Sequence, residues 1–433
     1  MDERMAHTGP CVSKMARCVV FASPHRLNLR LVYTGKRPMS EIQDVWPVLP
    51  VVISHRSDLS NAWENVSAIL ESEHRHRICQ INLLDIPTSH WERFSTAMQK
   101  PFPELSHLVF LAKTTVTSLP DSFLGGSAPL LRELTLENCP FPGIPTLLLS
   151  ASQLVVLDLW FIPISGYISP QDLVTALSVI SKLETLRLGF QVPLYPASRP
   201  RPLLTRSFLP ALTFLAFRGV HEYLEDLLTQ IEAPVLTTLY VAFFMDIDFV
   251  LPQLHRLISQ VESFNSCDSA TVRTSDRAIR FAIFRESPQF TELFLEIRCR
   301  ELDWQLSSLA QVCSSSFPFL STLVHLDILD DDVPQSHWKD DMETTQWLEL
   351  LAPLTAVKDL CLTHQVAPHV FQALKKLGEE RVITEVLPAL QNIFLEGLEP
   401  FGSVPRYVEG FVAARNLSGH PVAVHRWDWE NSE

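Results

Sequence analysis

The sequence predicts an α/β fold, a leucine-rich-repeat solenoid (horseshoe) with irregular repeats of about 23–34 residues. Two observations support this prediction. The 433-residue chain contains 64 leucines but only 13 glycines. A short pattern, leucine followed by two residues, a second leucine, one residue and a third apolar side chain, also recurs along the chain.

The second apolar residue of each copy serves as the marker of the repeat. The markers are Ile81, Leu108, Leu134, Leu157, Leu186, Leu215, Leu239, Leu293, Leu326, Leu360 and Ile393. Alternation around each marker predicts a short strand with one buried face. The interval from Leu239 to Leu293 is about two repeats long, so we expect a degenerate unit near 263–274.

The segments between strands show helical periodicity. Ser169 and Pro170 suit the N-cap and first position of a helix whose apolar face is Leu173, Leu177 and Ile180. Similar helices are predicted over 221–233, 345–354 and 369–377. Prolines precede several strands and favour the end of each helix there.

The predicted organisation has three parts: an unstructured lead-in over 1–25, the solenoid over 26–402, and a C-terminal cap and tail over 403–433. Strands are predicted over 26–33 and 51–53. Leu29 lies two repeat lengths before Ile81 and marks the expected start of the array. The cap is predicted as a helix over 404–415 followed by a strand over 422–424.

Composition excludes several classes of function. The net charge of −14 opposes nucleic-acid binding, which depends on cationic side chains. The sequence contains neither a signal peptide nor a run of about 18 apolar residues, so we predict a cytoplasmic or nuclear protein without membrane contact. The eight cysteines form no CxxC pair and are expected to be reduced thiols.

The stretch 26–427 resembles a large family of F-box proteins with divergent leucine-rich repeats that is expanded in mushroom-forming fungi. The resemblance is carried by Arg26-Leu-Asn-Leu-Arg-Leu-Val, Asp44-Val-Trp-Pro-Val-Leu-Pro, Met98-Gln-Lys-Pro-Phe-Pro-Glu-Leu, Ser165-Gly-Tyr-Ile-Ser-Pro, Leu186-Arg-Leu-Gly-Phe-Gln, Glu222-Tyr-Leu-Glu-Asp, Asp303-Trp-Gln-Leu-Ser-Ser-Leu-Ala-Gln-Val-Cys, Gln346-Trp-Leu-Glu-Leu-Leu, Thr355-Ala-Val-Lys-Asp-Leu, Val386-Leu-Pro-Ala-Leu-Gln and Phe411-Val-Ala-Ala-Arg. It implies the substrate-receptor part of a cullin-type ubiquitin ligase, with no cofactor.

Members of this family usually begin with an F-box of about forty residues that binds the cullin adaptor. Leu49-Pro imitates its opening but matches the family's region after the box, and 25 residues before Arg26 are too few to contain one. We therefore expect a truncated member or a gene prediction that lost its first exon. Binding of the cullin adaptor would then depend on an F-box encoded upstream.

Motifs typical of enzymes are absent from the sequence: it has no phosphate-binding loop, no Gly-x-Ser-x-Gly and no HExxH. His74 and His76 fit a solvated basic turn better than a metal site, because no further ligands are in phase with them. The acidic segment between Asp327 and Glu343 is expected to be a solvated loop, with Trp338 as a possible anchor for a partner. Trp160, Trp304 and Trp347 are expected to pack in the core or a cap.

Binding is predicted on the concave face of the sheet, where the residue between the paired apolar side chains of each strand points outward. The candidate residues are Thr135, Asp158, Arg187, Ala216, Tyr240, Phe294, Asp327, Cys361 and Phe394. We predict a non-enzymatic module that binds a protein target through this face. The alternative is a repeat scaffold or decoy without a ligase role.

Overall fold

The structure is a computed structural model, and it describes residues 30–36, 38, 49–56, 60–193, 206–244, 251–275, 277–285, 291–298, 302–330, 343–379, 386–396 and 405–427. It forms two compact units, Met1–Val156 and Leu157–Glu433. Among the described helices, none has the length and hydrophobicity that a membrane span needs. The predicted lead-in over 1–25, Leu29, Trp338 and the end of the predicted tail, 428–433, lie outside the described residues.

The first unit contains a sheet of parallel strands that follow one another in sequence order. Its strands are β1 (Leu31–Tyr33), β2 (Val51–Arg56), β3 (Ile78–Ile86), β4 (His107–Ala112) and β5 (Glu133–Glu137). Its helices are α1 (Ser60–Glu71), α2 (Thr88–Ala97) and α3 (Ile144–Leu148). Short 3-10 turns complete the connections at Glu73–Arg77 and Phe123–Gly126.

The second unit contains a longer sheet with helices in its connections. Its strands are β6 (Val156–Ile162), β7 (Thr185–Phe190), β8 (Ser207–Phe208), β9 (Phe214–Gly219), β10 (Ile231–Glu232), β11 (Thr238–Phe244), β12 (Ser269–Thr274), β13 (Ile279–Phe284), β14 (Thr291–Arg298), β15 (His325–Asp330), β16 (Asp359–Leu362), β17 (Asn392–Glu396) and β18 (Ala423–Trp427). Its helices are α4 (Pro170–Leu177), α5 (His221–Gln230), α6 (Pro252–Gln260), α7 (Leu302–Ser316), α8 (Glu343–Leu351), α9 (Ala367–Glu379) and α10 (Arg406–Leu417). Strands β8 and β10 form a separate two-stranded sheet.

The marker residues predicted from the sequence are buried and pair with one another. Leu186, Leu215, Leu239 and Leu293 are successive cross-strand partners. The same holds for Leu326, Leu360 and Ile393, and in the first unit for Ile81, Leu108 and Leu134. All of them are 1% exposed or less. The periodicity therefore predicted the strand register correctly, and the mixed α/β class with a largely parallel sheet is confirmed.

A single carbonyl of one repeat accepts hydrogen bonds from two consecutive amides of the next repeat. We call this arrangement the shared-carbonyl contact. The amides of Thr213 and Phe214 both donate to the Glu184 carbonyl, at 2.9 and 3.1 Å. The amides of Val324 and His325 donate in the same way to Asp268, at 2.7 and 3.0 Å. Further examples involve the carbonyls of Ser106, Arg132, Thr213, Val324 and Lys358. The contact fixes the start of each strand against its predecessor.

The degenerate unit predicted near 263–274 is a strand, β12, but its predicted place in the repeat order is wrong. The sheet order around it is β11-β14-β13-β12-β15. Strand β14 pairs parallel with β11, β13 runs antiparallel to both of its neighbours, and β12 pairs parallel with β15. The chain thus advances past two strand positions to β12 and then fills them on its way back. The three-stranded antiparallel meander β12–β13–β14 accounts for the doubled interval.

The start of the array also differs from the prediction. Tyr33 pairs with Ile53, and Ile53 pairs with Ile81, so Tyr33 rather than Leu29 occupies the marker position on β1. The sequence interval failed here because the connection from β1 to β2 is shorter than a standard repeat. Helix predictions are correct within a few residues, and the Ser169 side chain accepts the Asp172 amide as an N-cap.

The tryptophan predictions have mixed outcomes. Trp347 is fully buried, as predicted. Trp304 is 54% exposed on α7, so its prediction as a packed residue is wrong. Trp160 is half-buried and lies on the exposed side of the sheet. Single large apolar residues do occur on helix surfaces, and one sequence position cannot reveal which turn of the helix faces outward.

Arginine side chains provide a second link between repeats. Arg77, Arg256 and Arg415 each donate to a carbonyl 28 residues earlier in the sequence, those of Leu49, Leu228 and Leu387. Arg415 is fully buried and also donates to Pro388 and Leu390, at 3.4 and 3.3 Å. The C-terminal helix is therefore held to the preceding repeat by one buried guanidinium.

We expect Arg415→Ala to lower the free energy of unfolding by about 2–4 kcal/mol, because it removes a buried side chain and leaves carbonyls without their donor. Arg406→Ala is the matched control, since Arg406 is exposed on the same helix. It should change stability by less than about 0.5 kcal/mol. Denaturant unfolding of both variants measures the difference, and equal effects would contradict this role of Arg415.

The strand order can be tested by cysteine cross-linking. Tyr240→Cys with Phe294→Cys should form a disulfide under mild oxidation, because these residues are direct partners on adjacent strands. Tyr240→Cys with Thr271→Cys should not, because three strand spacings of about 4.8 Å separate these positions. Intact mass after thiol labelling distinguishes the two. The opposite result would restore the sequential order of repeats.

Candidate functional site

Alternate residues of each strand leave one side of the sheet half-exposed, and we call this side the open face. In the second unit, its middle row consists of successive cross-strand partners. The row is Arg187, Ala216, Tyr240, Phe294, Ala282, Thr271, Asp327, Cys361, Phe394 and His425. The structure therefore brings the predicted residues of this unit, apart from Asp158, into one row.

Three members of the row were missed from the sequence. Ala282 and Thr271 belong to the β12–β13–β14 meander, which has no repeat pattern of its own, and His425 lies on the last strand. Strand alternation around His425 was the one available signal. Thr135 lies in the first unit, where its row contains Ser54, Asn82 and Val109.

Trp160 is held over the sheet by a glycine and an arginine. The ring lies against Gly189, where an added Cβ would be 2.6 Å from Trp160 Cε3. The Arg187 guanidinium lies 4.8 Å from the ring centre, and its Nη1 donates to Asp158 Oδ2 at 2.6 Å. The Asp158 side chain is only 11% exposed, so this predicted site residue positions Arg187 instead of presenting a free carboxylate.

An aromatic stack continues from this point along the row. The rings of Tyr240 and Phe294 lie 4.5 Å apart and are nearly parallel, at 4°. Trp160 meets Tyr240 edge-on at 6.3 Å. Burial raises the pKa of the Tyr240 hydroxyl, so it is a neutral donor at physiological pH. The three rings form a continuous apolar strip.

Phe161 contributes to the same face because its backbone is unusual. It lies four residues after its marker and has a φ of 51°. Asp85 and Asn138 occupy the equivalent positions of their own repeats with φ of 59° and 57°, and Asp and Asn tolerate this conformation far better than Phe does. The positive φ breaks strand alternation at Phe161, which contacts an arginine that lies on the open face.

That arginine is Arg218, which lies between two rings. Its guanidinium is 4.7 Å from the ring of Phe161 and 5.0 Å from that of Phe244. Burial, together with the nearby charge of Arg298, lowers the pKa of Arg218. Its Nε is buried without a hydrogen-bond partner among the described residues. Trp160, Phe161, Arg187, Arg218, Tyr240, Phe244 and Phe294 together form what we call the aromatic–arginine cluster.

A buried carboxylate organises the neighbouring arginines. Glu296 is 3% exposed, and its two carboxylate oxygens accept hydrogen bonds from Arg280 Nε, at 3.0 Å, and from Arg298 Nε. Along the strands, Arg218, Ala242, Glu296, Arg280 and Arg273 are successive cross-strand partners. This row, the arginine row, runs beside the aromatic strip.

The far end of the open face is acidic and carries two histidines. Asp359 accepts from Asn392 Nδ2 at 2.7 Å and lies 2.7 Å from His325 Nδ1. His425 stacks on Phe394 at 5.1 Å. Asp327 and Cys361 are cross-strand partners. Burial raises the pKa of both Asp327 and Cys361, so the thiol is protonated at neutral pH and is a poor nucleophile.

Within the described residues, no group of three or more His, Cys, Asp and Glu side chains is arranged to hold a metal ion. His74 and His76 lie in a 3-10 turn that has no buried residue. The five described cysteines, at 79, 139, 267, 313 and 361, are all free. The open face thus carries rings and guanidinium groups, which are enriched at protein interfaces, together with carboxylates.

Comparison with known proteins yields little. No protein-family model matches the chain, and no curated protein matches it. Among solved structures, a leucine-rich-repeat-containing protein, LegL7 from Legionella pneumophila, is 14% identical over 90% of this chain and 98% of its own, with a TM-score of 0.29. A likeness at that score does not establish a shared fold.

Asp327→Asn is expected to raise the unfolding temperature at pH 7 and to raise it less near pH 4. An acid whose pKa is raised in the folded state destabilises that state when ionised, and the penalty disappears once pH falls low enough to protonate it in both states. Asparagine keeps an oxygen that can accept from Cys361. Thermal unfolding at both pH values measures the effect.

Asp268→Asn serves as the control, because Asp268 is exposed and its carbonyl, not its side chain, makes the shared-carbonyl contact. It should leave the unfolding temperature nearly unchanged at both pH values. A lower unfolding temperature for Asp327→Asn at pH 7 would contradict the prediction.

Proposed function

We propose that this chain is a leucine-rich-repeat protein that binds another protein on the open face of its second unit. The observation that carries the proposal is the aromatic–arginine cluster. Trp, Tyr and Arg are the residue types that contribute disproportionately to binding at protein interfaces. Here they are half-exposed, mutually packed and held on rigid strands.

The local construction supports this role. Gly189 leaves the space that the Trp160 ring occupies, and Phe161 adopts a backbone conformation that is unfavourable for a bulky residue. Unfavourable backbone conformations cluster at functional sites, where the surrounding structure maintains them. A solvated face without a partner would not require either feature.

The finer proposal is that the bound protein is a substrate of a cullin-type ubiquitin ligase and that the chain is its receptor. This part rests on the family resemblance, and it requires an F-box in addition to the repeats. The alternative is a repeat scaffold or decoy that binds proteins without the ligase.

The experiment is affinity capture of the tagged chain from an extract of the source organism, followed by mass spectrometry. Gly189→Ala places a Cβ against Trp160 and should displace the ring. Gly410→Ala is the matched control, because a Cβ there meets nothing within 4 Å. We expect a set of proteins that the wild type and Gly410→Ala retain and Gly189→Ala loses.

The same capture separates the finer alternatives. Recovery of the cullin adaptor would support the receptor role, whereas partners without the adaptor would support the scaffold. Identical protein sets from all three chains would contradict recognition by the open face.

A further inference from the structure

We propose that the open face of the second unit binds an acidic segment of its partner, an extended peptide whose Asp or Glu carboxylates contact Arg218 and the arginine row while its backbone crosses the aromatic strip. This inference rests on the proposed function and adds to it the chemistry of the partner. It follows from charge, from the state of Arg218, from the apolar surface beside Arg218 and from the limits of the basic surface.

The first argument is the local reversal of charge. The chain carries a net charge of −14. On the open face between β6 and β12, however, cationic side chains outnumber acidic ones. The cations are Arg187, Arg218, Arg273, Arg280 and Arg298, and the acids are Asp158, Glu292 and Glu296. A basic surface on an acidic protein attracts and orients an anionic partner.

The second argument is that the acids in this region already have partners. Asp158 is bonded to Arg187, Glu296 to Arg280 and Arg298, and Glu292 lies 3.3 Å from Arg285. Arg218, in contrast, forms no ion pair with the residues that the structure describes. Its planar group is fixed between Phe161 and Phe244, an arrangement that keeps the guanidinium oriented for bidentate binding of a carboxylate.

The third argument concerns what holds the peptide. Two rings flank Arg218, and the Trp160–Tyr240–Phe294 strip lies beside it, so a ligand carboxylate at Arg218 brings its neighbouring groups over an apolar surface. Tyr240 supplies a neutral hydroxyl donor at the same place. Rigid rings provide contact area at little cost in conformational entropy.

The fourth argument limits the ligand to a short acidic run. Beyond β12 the middle row contains Asp327, Asp359 lies two residues before its member Cys361, and Glu396 follows on β17. A long polyanion such as single-stranded RNA would be repelled there, although arginine and aromatic groups can also bind bases. A peptide with a few carboxylates matches the basic surface over β7–β13. The acidic end of the open face sets the limit of that surface.

The test measures binding of a fluorescein-labelled oligoglutamate peptide by fluorescence anisotropy, with an oligolysine peptide of equal length as the comparison. The wild type should bind oligoglutamate and not oligolysine. Arg218→Gln should weaken binding by about tenfold or more, because a charge-assisted hydrogen-bonded pair is lost. Arg218→Lys should weaken it nearly as much, since lysine lacks the planar fork.

Arg206→Gln is the control, because it makes the same change in net charge. Arg206 precedes β8, outside the open face, and pairs with Glu232 at 3.1 Å. It should alter affinity by less than about twofold. Circular dichroism and the unfolding midpoint establish that each variant is folded.

Several results would overturn the inference: no binding of oligoglutamate, equal loss in Arg206→Gln and Arg218→Gln, displacement of the peptide by inorganic phosphate at matched ionic strength, or tighter binding of oligouridylate. These outcomes are separable from failure of the proposed function. If Gly189→Ala loses captured proteins while oligoglutamate does not bind, the open face recognises a protein by other chemistry.

Discussion

The shared-carbonyl contact is the interaction on which the rest of the structure depends. Two consecutive amides donate to one carbonyl of the preceding repeat, as Thr213 and Phe214 do to Glu184, and this sets where the next strand begins. Once the start is fixed, strand alternation places the marker leucine inward and its neighbour outward. The stability of such an array is approximately a sum of repeat terms and nearest-neighbour terms, so local contacts of this kind determine both order and register.

The aromatic–arginine cluster is a direct product of that register. Arg187 and Tyr240 are separated in the row by Ala216, and the Trp160 ring lies near both of them, at 4.8 and 6.3 Å. Trp160 comes close because Gly189, on β7, offers no side chain. Small residues thus shape the surface as much as large ones do, and the recognition groups are supported by backbone that the repeat already fixes.

Much of the fold was predictable from the sequence, because burial with a fixed period is a local property. The markers from Leu186 to Leu239 pair as expected, and Arg187, Tyr240, Phe294, Asp327 and Phe394 share one row. The order of the strands in the β12–β13–β14 meander was not predictable. These strands are adjacent in sequence in any topology, and only long-range pairing decides their order in the sheet. Phe161 was missed because its positive φ contradicts strand alternation, and nothing in the local pattern reveals it. Arg218 follows strand alternation but lies two residues after Ala216, outside the repeated motif from which the site residues were predicted.

The meander between β11 and β15 shows which changes a repeat array of this kind can accept. Strands β13 and β14 are additional to the one strand that a repeat supplies, and β12 and β14 both run in the direction of β15. A single additional strand would have left the chain pointing backwards, with its next marker leucine and its shared carbonyl at the wrong end of the sheet. An even number of inserted strands therefore preserves the direction in which the chain enters the next repeat. The rule gives evolution a way to widen the binding surface in steps of two strands without altering any downstream repeat.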